Sequence, residues 1–403
     1  MGIHTFRSIH HPIHPDPQTN PQADPPTDTQ TNPQADPLPN PPPRSIWWIV
    51  IPGTLLVFLI ISLSFNGAFV GGRISIPKRH PPTLTTTLMK YSEARPIDNT
   101  FIGVTALEEF FTLNPQNRSL LVYNSAPNRL CLRNRTGTDP WNQNVVCIVG
   151  ADPKRNTPLA LLNWLGGHSI FYINAKGYLT SLDWIPRSSS WRFSTLADSK
   201  VTPHAESQLA VITWGNSTGV WIYYQDRDGQ IRELGMDDWR DRTFHYGANG
   251  GVVGKVIIGS GIGSVRYVNG GLEAQVLFLT DEENGPIVQH MYQHQTWQTP
   301  ESVNGTDEIK STASISAATV RTQQGEVIML AYVASNSYLV VQTRATNSTT
   351  YSAPKKVTEA MQITTGVVCV DIYGVPTVFL TNGSDLFEIS GGNLAGNWTV
   401  TKL

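Results

Sequence analysis

Short apolar runs alternate with polar turns along most of this 403-residue chain. The stretch "GVWIYYQDRDGQIRELGMDDW", Gly219 to Trp239, shows the pattern: an alternating run, a polar Gly turn, a second alternating run and a Trp. A period of two predicts half-buried strands, and the Asp/Gly turn predicts that they pair as an antiparallel hairpin. The first run recurs as "SLLVYN", "SIFYIN", "VLFLTD", "MLAYVA" and "TVFLTN", and the second as "NRLCL", "GYLTSL", "GPIVQH", "SYLVVQ" and "SDLFEI". An aromatic follows each hairpin: Trp141, Trp191, Trp239, Trp297, Tyr351 and Trp398, at spacings of 50, 48, 58, 54 and 47. A small-residue apolar strand precedes several of them, as in "LALLNW", "LAVITW" and "SISAATV".

The chain thus holds six units of three or four short strands each. One such sheet cannot bury both of its faces. Six arranged radially can, each packing on its neighbours, and closure protects the edges. The pattern predicts an all-β fold, a six-bladed β-propeller over residues 96–403. A β-sandwich is the competing solution, but sandwich strands do not return at a fixed spacing of about 50 residues.

The N-terminal part reads differently. Residues 1–45 are rich in Pro, Asn, Gln, Thr and Asp, and repeat "TNPQADP" at Thr19–Pro25 and Thr31–Pro37. They predict a disordered, partly polyproline II tail. His4, His10, His11 and His14 lie in this tail, where a solvated role suffices and no metal is implied. Residues 46–70, "IWWIVIPGTLLVFLIISLSFNGAFV", run for 25 positions without a charge. That length crosses a bilayer as a transmembrane helix, with Trp47 and Trp48 at one interface. Residues 71–95 read as a polar, Pro/Thr-rich stalk.

Charge asymmetry and glycosylation sequons disagree about topology. Arg44 precedes the span, whereas Arg73, Lys78, Arg79 and Lys90 follow it, which favours a cytoplasmic C-terminal side. All seven N-x-S/T sequons, at Asn117, Asn134, Asn216, Asn304, Asn347, Asn382 and Asn397, also follow it. The sequons and the β-rich domain favour a single-pass glycoprotein with a cytoplasmic N-terminus and a lumenal or extracellular propeller.

The formal net charge of −2 offers no basic field for nucleic acid. Three cysteines without a CxxC pair exclude a typical zinc site, and no phosphate or dinucleotide loop or other cofactor fingerprint is present. Cys131 and Cys147 are 16 apart and fit a bridge between neighbouring strands in an oxidising compartment. Three free thiols, with Cys369 buried in "VVCVDI", fit the spacing equally well.

"VWIYYQDRDGQIREL" with Trp239 after it and "LAVITWG" before it resembles a blade of the fungal fucose-specific lectins. The resemblance implies a lectin-like, carbohydrate-binding propeller without catalysis. In that family an Arg on one strand and a Glu on the next grip sugar oxygens, and an aromatic covers the apolar sugar face. In this chain the Arg position holds Leu120, Ser169, Trp221, Val276, Met329 and Thr377. The Glu position holds Leu132, Ser181, Glu233, Gln289, Val341 and Glu388. The candidate sugar-binding residues are therefore Trp221, Glu233, Trp239, Glu388 and Trp398, with Arg266, Arg321 and Arg344 as possible substitutes from other strands.

The partners expected are glycans or glycoproteins and, through residues 46–70, a lipid bilayer. A propeller that has lost sugar binding and serves as an interaction or structural ectodomain is the alternative. A glycosidase needs paired carboxylates or a repeated Asp-box, and the latter is missing from the sequence.

Overall fold

The computed structural model describes residues 88–91, 96, 101–107 and, apart from short gaps, 118–403. The tail, the apolar span at 46–70 and most of the stalk lie outside the described residues. Among the described residues no helix is long and apolar enough to cross a membrane.

The alternating runs form six antiparallel sheets. Blade 1 holds Ile102–Leu107, Arg118–Ser125, Arg129–Thr136 and Val145–Ile148. Blade 2 holds Leu159–Trp164, Gly167–Ile173, Leu179–Ile185 and Ser190–Phe193. Blade 3 holds Leu209–Trp214, Gly219–Gln225 and Gln230–Met236, edged by His245–Tyr246 and Val252–Lys255. Blade 4 holds Ile262–Asn269, Leu272–Thr280 and Ile287–Gln293, edged by Thr296–Trp297 and Glu301–Ser302. Blade 5 holds Ile315–Thr322, Gly325–Val333, Leu339–Ala345 and Lys355–Lys356. Blade 6 holds Thr365–Ile372, Val375–Asn382, Asp385–Gly391 and Trp398–Lys402. The first strand of each blade touches that of the next, and blade 6 returns to blade 1, so the ring closes. This is the six-bladed propeller that the repeat predicts.

The first sheet begins earlier than residue 96. Leu88–Tyr91 pairs with Val145–Ile148 as a fifth, outermost strand. Four residues in a Pro/Thr-rich context carry too little alternation to announce a strand; the exposed edge of blade 1 supplies the pairing partner.

Apolar side chains on both faces of each sheet pack into six clusters, each shared between neighbouring blades. Second strands such as Gly219–Gln225 are buried along their whole length, because both faces meet another blade. Tyr223 accordingly packs toward blade 4 and Tyr224 toward blade 2. Cys131 and Cys147 stand opposite each other on adjacent strands and are disulfide-bonded, while Cys369 is a free, buried thiol. Burial pushes that thiol up to about 12, so it stays protonated and packs as a small apolar group.

Candidate functional site

The six interfaces share one frame. On each third strand one residue lies opposite the middle of the second strand: Leu132 opposite Val122, Ser181 opposite Phe171 and Glu233 opposite Tyr223. In the other blades Gln289 faces Phe278, Val341 faces Ala331 and Glu388 faces Phe379. Three residues further along, an odd step on a strand, the side chain turns to the preceding blade. Those residues are Arg135, Trp184, Met236, Tyr292 and Arg344; in blade 6 the position is Gly391, without a side chain. The aromatic that ends a blade also packs on the blade before it.

Between blades 6 and 1 this frame builds an ion pair. Arg135 Nη1 donates to Glu388 Oε2 at 2.9 Å, and Nη2 lies 2.7 Å from Oε1. Trp141 Nε1 donates to Glu388 Oε2 at 2.9 Å, and the guanidinium stacks 4.7 Å from the Trp141 ring. Ser390 Oγ donates to Oε1 at 3.3 Å. Both carboxylate oxygens are thereby committed to protein donors.

Between blades 3 and 4 the carboxylate of Glu233 is also enclosed. Tyr223 Oη donates to its Oε1 at 2.8 Å, and Gln275 Nε2 of blade 4 donates to the same atom at 3.3 Å. Burial pushes the Glu233 carboxyl above its ordinary range, against the pull of the Tyr223 and Gln275 bonds. Trp221 stands edge-on to His245 and crosses over Gly235, where a Cβ would lie 2.6 Å from its ring. The segment after Tyr246 closes over Glu233: a Cβ on Gly247 would fall 1.9 Å from its Oε2. Gly247→Ala is therefore expected to destabilise the propeller by about 1–3 kcal/mol in urea unfolding; an unchanged midpoint would show that this cover is loose.

Between blades 4 and 5 the frame holds an uncommitted cation. Arg344 is only 2% exposed, yet among the described residues its Nη2 meets only Tyr267 Oη, at 3.3 Å, and its Nε has no hydrogen-bond partner. Its guanidinium lies 5.6 Å from the Tyr267 ring centre and 5.2 Å from that of Tyr351. Tyr351 Oη donates to Gln289 Oε1 at 3.4 Å, and Gln289 Nε2 donates to Glu301 Oε2 at 3.0 Å. Asn304 fixes the Tyr351 backbone, accepting from its N–H and donating to its carbonyl, each at 3.3 Å.

The remaining interfaces are poorer in charge. Leu132 shares a core with Trp184 and Trp191, and Val341 with Trp398. Between blades 2 and 3, Trp164 Nε1 donates to Ser169 Oγ at 2.8 Å, which donates to Asp183 Oδ1 at 2.7 Å. Burial pushes the Asp183 carboxyl up to about 6, against the pull of Ser169 and Arg242. The unfolded chain then loses this proton first as pH rises. The Asp183 contribution to stability is expected to be full below about pH 4 and to be lost as pH rises through about 6, read as the difference between wild type and Asp183→Asn in melts across the range. A difference between the two chains that does not change with pH there would contradict this.

The five sequence-derived sugar-site residues do not converge. Trp221 and Glu233 share the blade 3–4 interface, but the aromatic there is Trp297, 6.1 Å from Tyr223. Trp239 packs instead on Trp164 of blade 2, 5.7 Å away. Glu388 meets Trp141, whereas Trp398 packs against blade 5. Each aromatic serves the preceding blade because its loop folds back over that blade's third strand. Among the substitute arginines, Arg266 is paired with Glu273 on its own blade, and Arg321 lies at an exposed hairpin end. Arg344 alone of the three faces the interface frame. Arg135 is an addition; its placement three residues beyond Leu132, matched by Arg344 beyond Val341, is the signal that marks both.

Of the sequons, Asn134, Asn304, Asn347 and Asn397 are exposed and Asn382 is half-buried; Asn117 and Asn216 lie outside the described residues. The innermost strands enclose a central cavity of about 130 Å³, lined by residues such as Gly103, Gln208, Ser264 and Ser316 and by no carboxylate among the described residues. No cluster of metal-ligating side chains occurs among them either.

The architecture matches known structures. AofleA from Arthrobotrys oligospora superposes with a TM-score of 0.62 at 14% identity, over 79% of this chain and 90% of that one. The fucose-specific lectin from Aleuria aurantia gives 0.61 at 17% identity, over 77% and 96%. The BP39L lectin from Burkholderia pseudomallei gives 0.52 at 11%, over 76% and 98%. At these identities the likeness concerns the fold. No curated protein sequence matches the chain. The sequence model of the fungal fucose-specific lectin family matches residues 100–394, most of the chain and part of every blade, and the protein belongs to that family.

Proposed function

We propose that the protein is a lectin-like carbohydrate-binding propeller that binds glycans between its blades without catalysing their cleavage. The observation that carries this reading is the blade 4–5 interface, where Arg344, Gln289, Tyr267 and Tyr351 place a free guanidinium, an amide and two aromatic rings together. Guanidinium and amide groups suit sugar hydroxyls, and rings suit the C–H face of a pyranose. Family membership and the fucose complexes of relatives such as the Aleuria aurantia lectin support the same reading.

The 46–70 span anchors the chain in a membrane on this reading, with the N-terminus cytoplasmic and the propeller lumenal or extracellular. Exposed sequons and the Cys131–Cys147 disulfide support that side. Modified sequon asparagines in a secretory host are the expected result, and unmodified ones would reverse the orientation.

One specific observation favours a second reading, an interaction ectodomain without sugar binding. Both buried glutamates of the frame are consumed internally, Glu388 by Arg135 and Glu233 by Tyr223. A glycan array probed with the full chain separates the two. Signal on defined glycans is expected; silence on every glycan would leave the interaction reading.

A further inference from the structure

We infer that the interface between blades 4 and 5 recognises the carboxylate of an acidic sugar, a uronic or sialic acid, with Arg344 as its counter-ion. The inference rests on the carbohydrate-binding reading and deepens it at one site.

The propeller itself shows what fits this position. Arg135 and Arg344 occupy the same place on their third strands, opposite Ser119 and Ile328. Each guanidinium stacks on the aromatic that ends its own blade, at 4.7 Å from Trp141 and 5.2 Å from Tyr351. Arg135 bonds the third strand of blade 6, whereas Arg344 bonds Tyr267 on the first strand of blade 4 and the Tyr351 ring beside it reaches Gln289 on the third. At blade 6 that strand offers the carboxylate of Glu388, which Arg135 holds in two-point contact at 2.7 and 2.9 Å. At blade 4 the equivalent residue is Gln289, a neutral amide.

Arg344 consequently has no acidic partner within ion-pair reach among the described residues. Glu301, beside Gln289, directs its carboxylate to the Gln289 amide at 3.0 Å and forms no ion pair with Arg344. A guanidinium at 2% exposure with an unpartnered Nε is an unbalanced charge in a low-dielectric site. A neutral sugar satisfies its hydrogen bonds but leaves the charge. A carboxylate satisfies both, in the planar fork geometry that arginine favours. Tyr267 and Tyr351 then flank the sugar ring, and Gln289 is placed to meet a hydroxyl. Binding requires the Tyr351 hydroxyl to leave Gln289, a 3.4 Å contact beside the exposed Glu301.

The test is calorimetric titration of the full chain with methyl glucuronide, its neutral twin methyl glucoside, N-acetylneuraminic acid and acetate. Both acidic sugars are expected to bind, with the glucoside and acetate weaker by at least about tenfold. Arg344→Gln is expected to remove acidic-sugar binding. A second variant, Q289E/E301Q, moves a carboxylate from the rim to the Glu388-like position at constant charge. It is expected to abolish binding while raising the melting temperature, since Arg344 gains an internal partner. Equal binding of glucoside and glucuronide overturns the inference, as does unchanged binding in both variants. Acetate binding as tightly as glucuronide overturns the sugar assignment. A chain that binds neutral glycans on an array but no acidic sugar overturns this inference alone. Silence on the whole array overturns the carbohydrate reading with it.

Discussion

Glu388→Gln is expected to destabilise the propeller by about 3–5 kcal/mol in urea unfolding, because it leaves the Arg135 charge buried without a partner. Arg135 and Glu388 side chains are only 11% and 9% exposed, and the pair spans the seam between the last blade and the first. Among the described residues no strand pairing crosses that seam, since blade 6 takes its outer strand from Trp398–Lys402 and blade 1 from the N-terminal side. Closure therefore rests on side chains: the ion pair, the Trp141 indole, its edge-on contact with Phe379 at 5.7 Å, and the bond from Tyr373 Oη to the Arg118 carbonyl. Replacing both partners by apolar residues, R135M/E388L, is expected to recover much of the loss, because no buried charge is then stranded. A single-variant loss below about 1 kcal/mol would show that the pair is screened and that packing alone closes the ring.

Loss of the disulfide is the second large effect. The Cys131–Cys147 bridge closes a 16-residue loop within blade 1. By the chain-entropy relation such a loop is worth about 3 kcal/mol, so C131S/C147S is expected to lower unfolding stability by that amount. Reduction of the wild-type chain should reproduce the shift. Equal stability of oxidised and reduced chains would mean that the bridge adds nothing beyond the strand pairing around it.

Much of this fold is legible in the sequence because the hairpin of the second and third strands carries its own pattern. The residues assigned to the Glu position, Leu132 through Glu388, all fall at one register position in the sheets, including Gln289 and Glu388, whose loops differ in length. The strand Leu88–Tyr91 was not legible, because its pairing comes from an edge far along the chain. The site was legible only in halves. A repeat read along the chain groups residues of one blade, whereas each interface joins a third strand to the aromatic of the following blade. Reading along the chain therefore links Glu233 with Trp239 and Glu388 with Trp398, while the fold gives them Trp297 and Trp141. The indole of Trp221 lies where Gly235 opposite it carries no side chain. Arg135 and Arg344 stand at an odd offset on the third strand, where strand alternation turns them to the other neighbour.

The central claim is that glycans bind between the blades, at the face formed by Tyr351 and Arg344. The most direct test is a glycan array run in parallel with the wild-type chain and with Tyr351→Ala, each shown by its circular dichroism to be folded. The structure predicts that the wild-type signal is lost in the variant, because the ring that covers the sugar is gone. An identical binding profile for the two chains would place sugar recognition elsewhere and contradict the account.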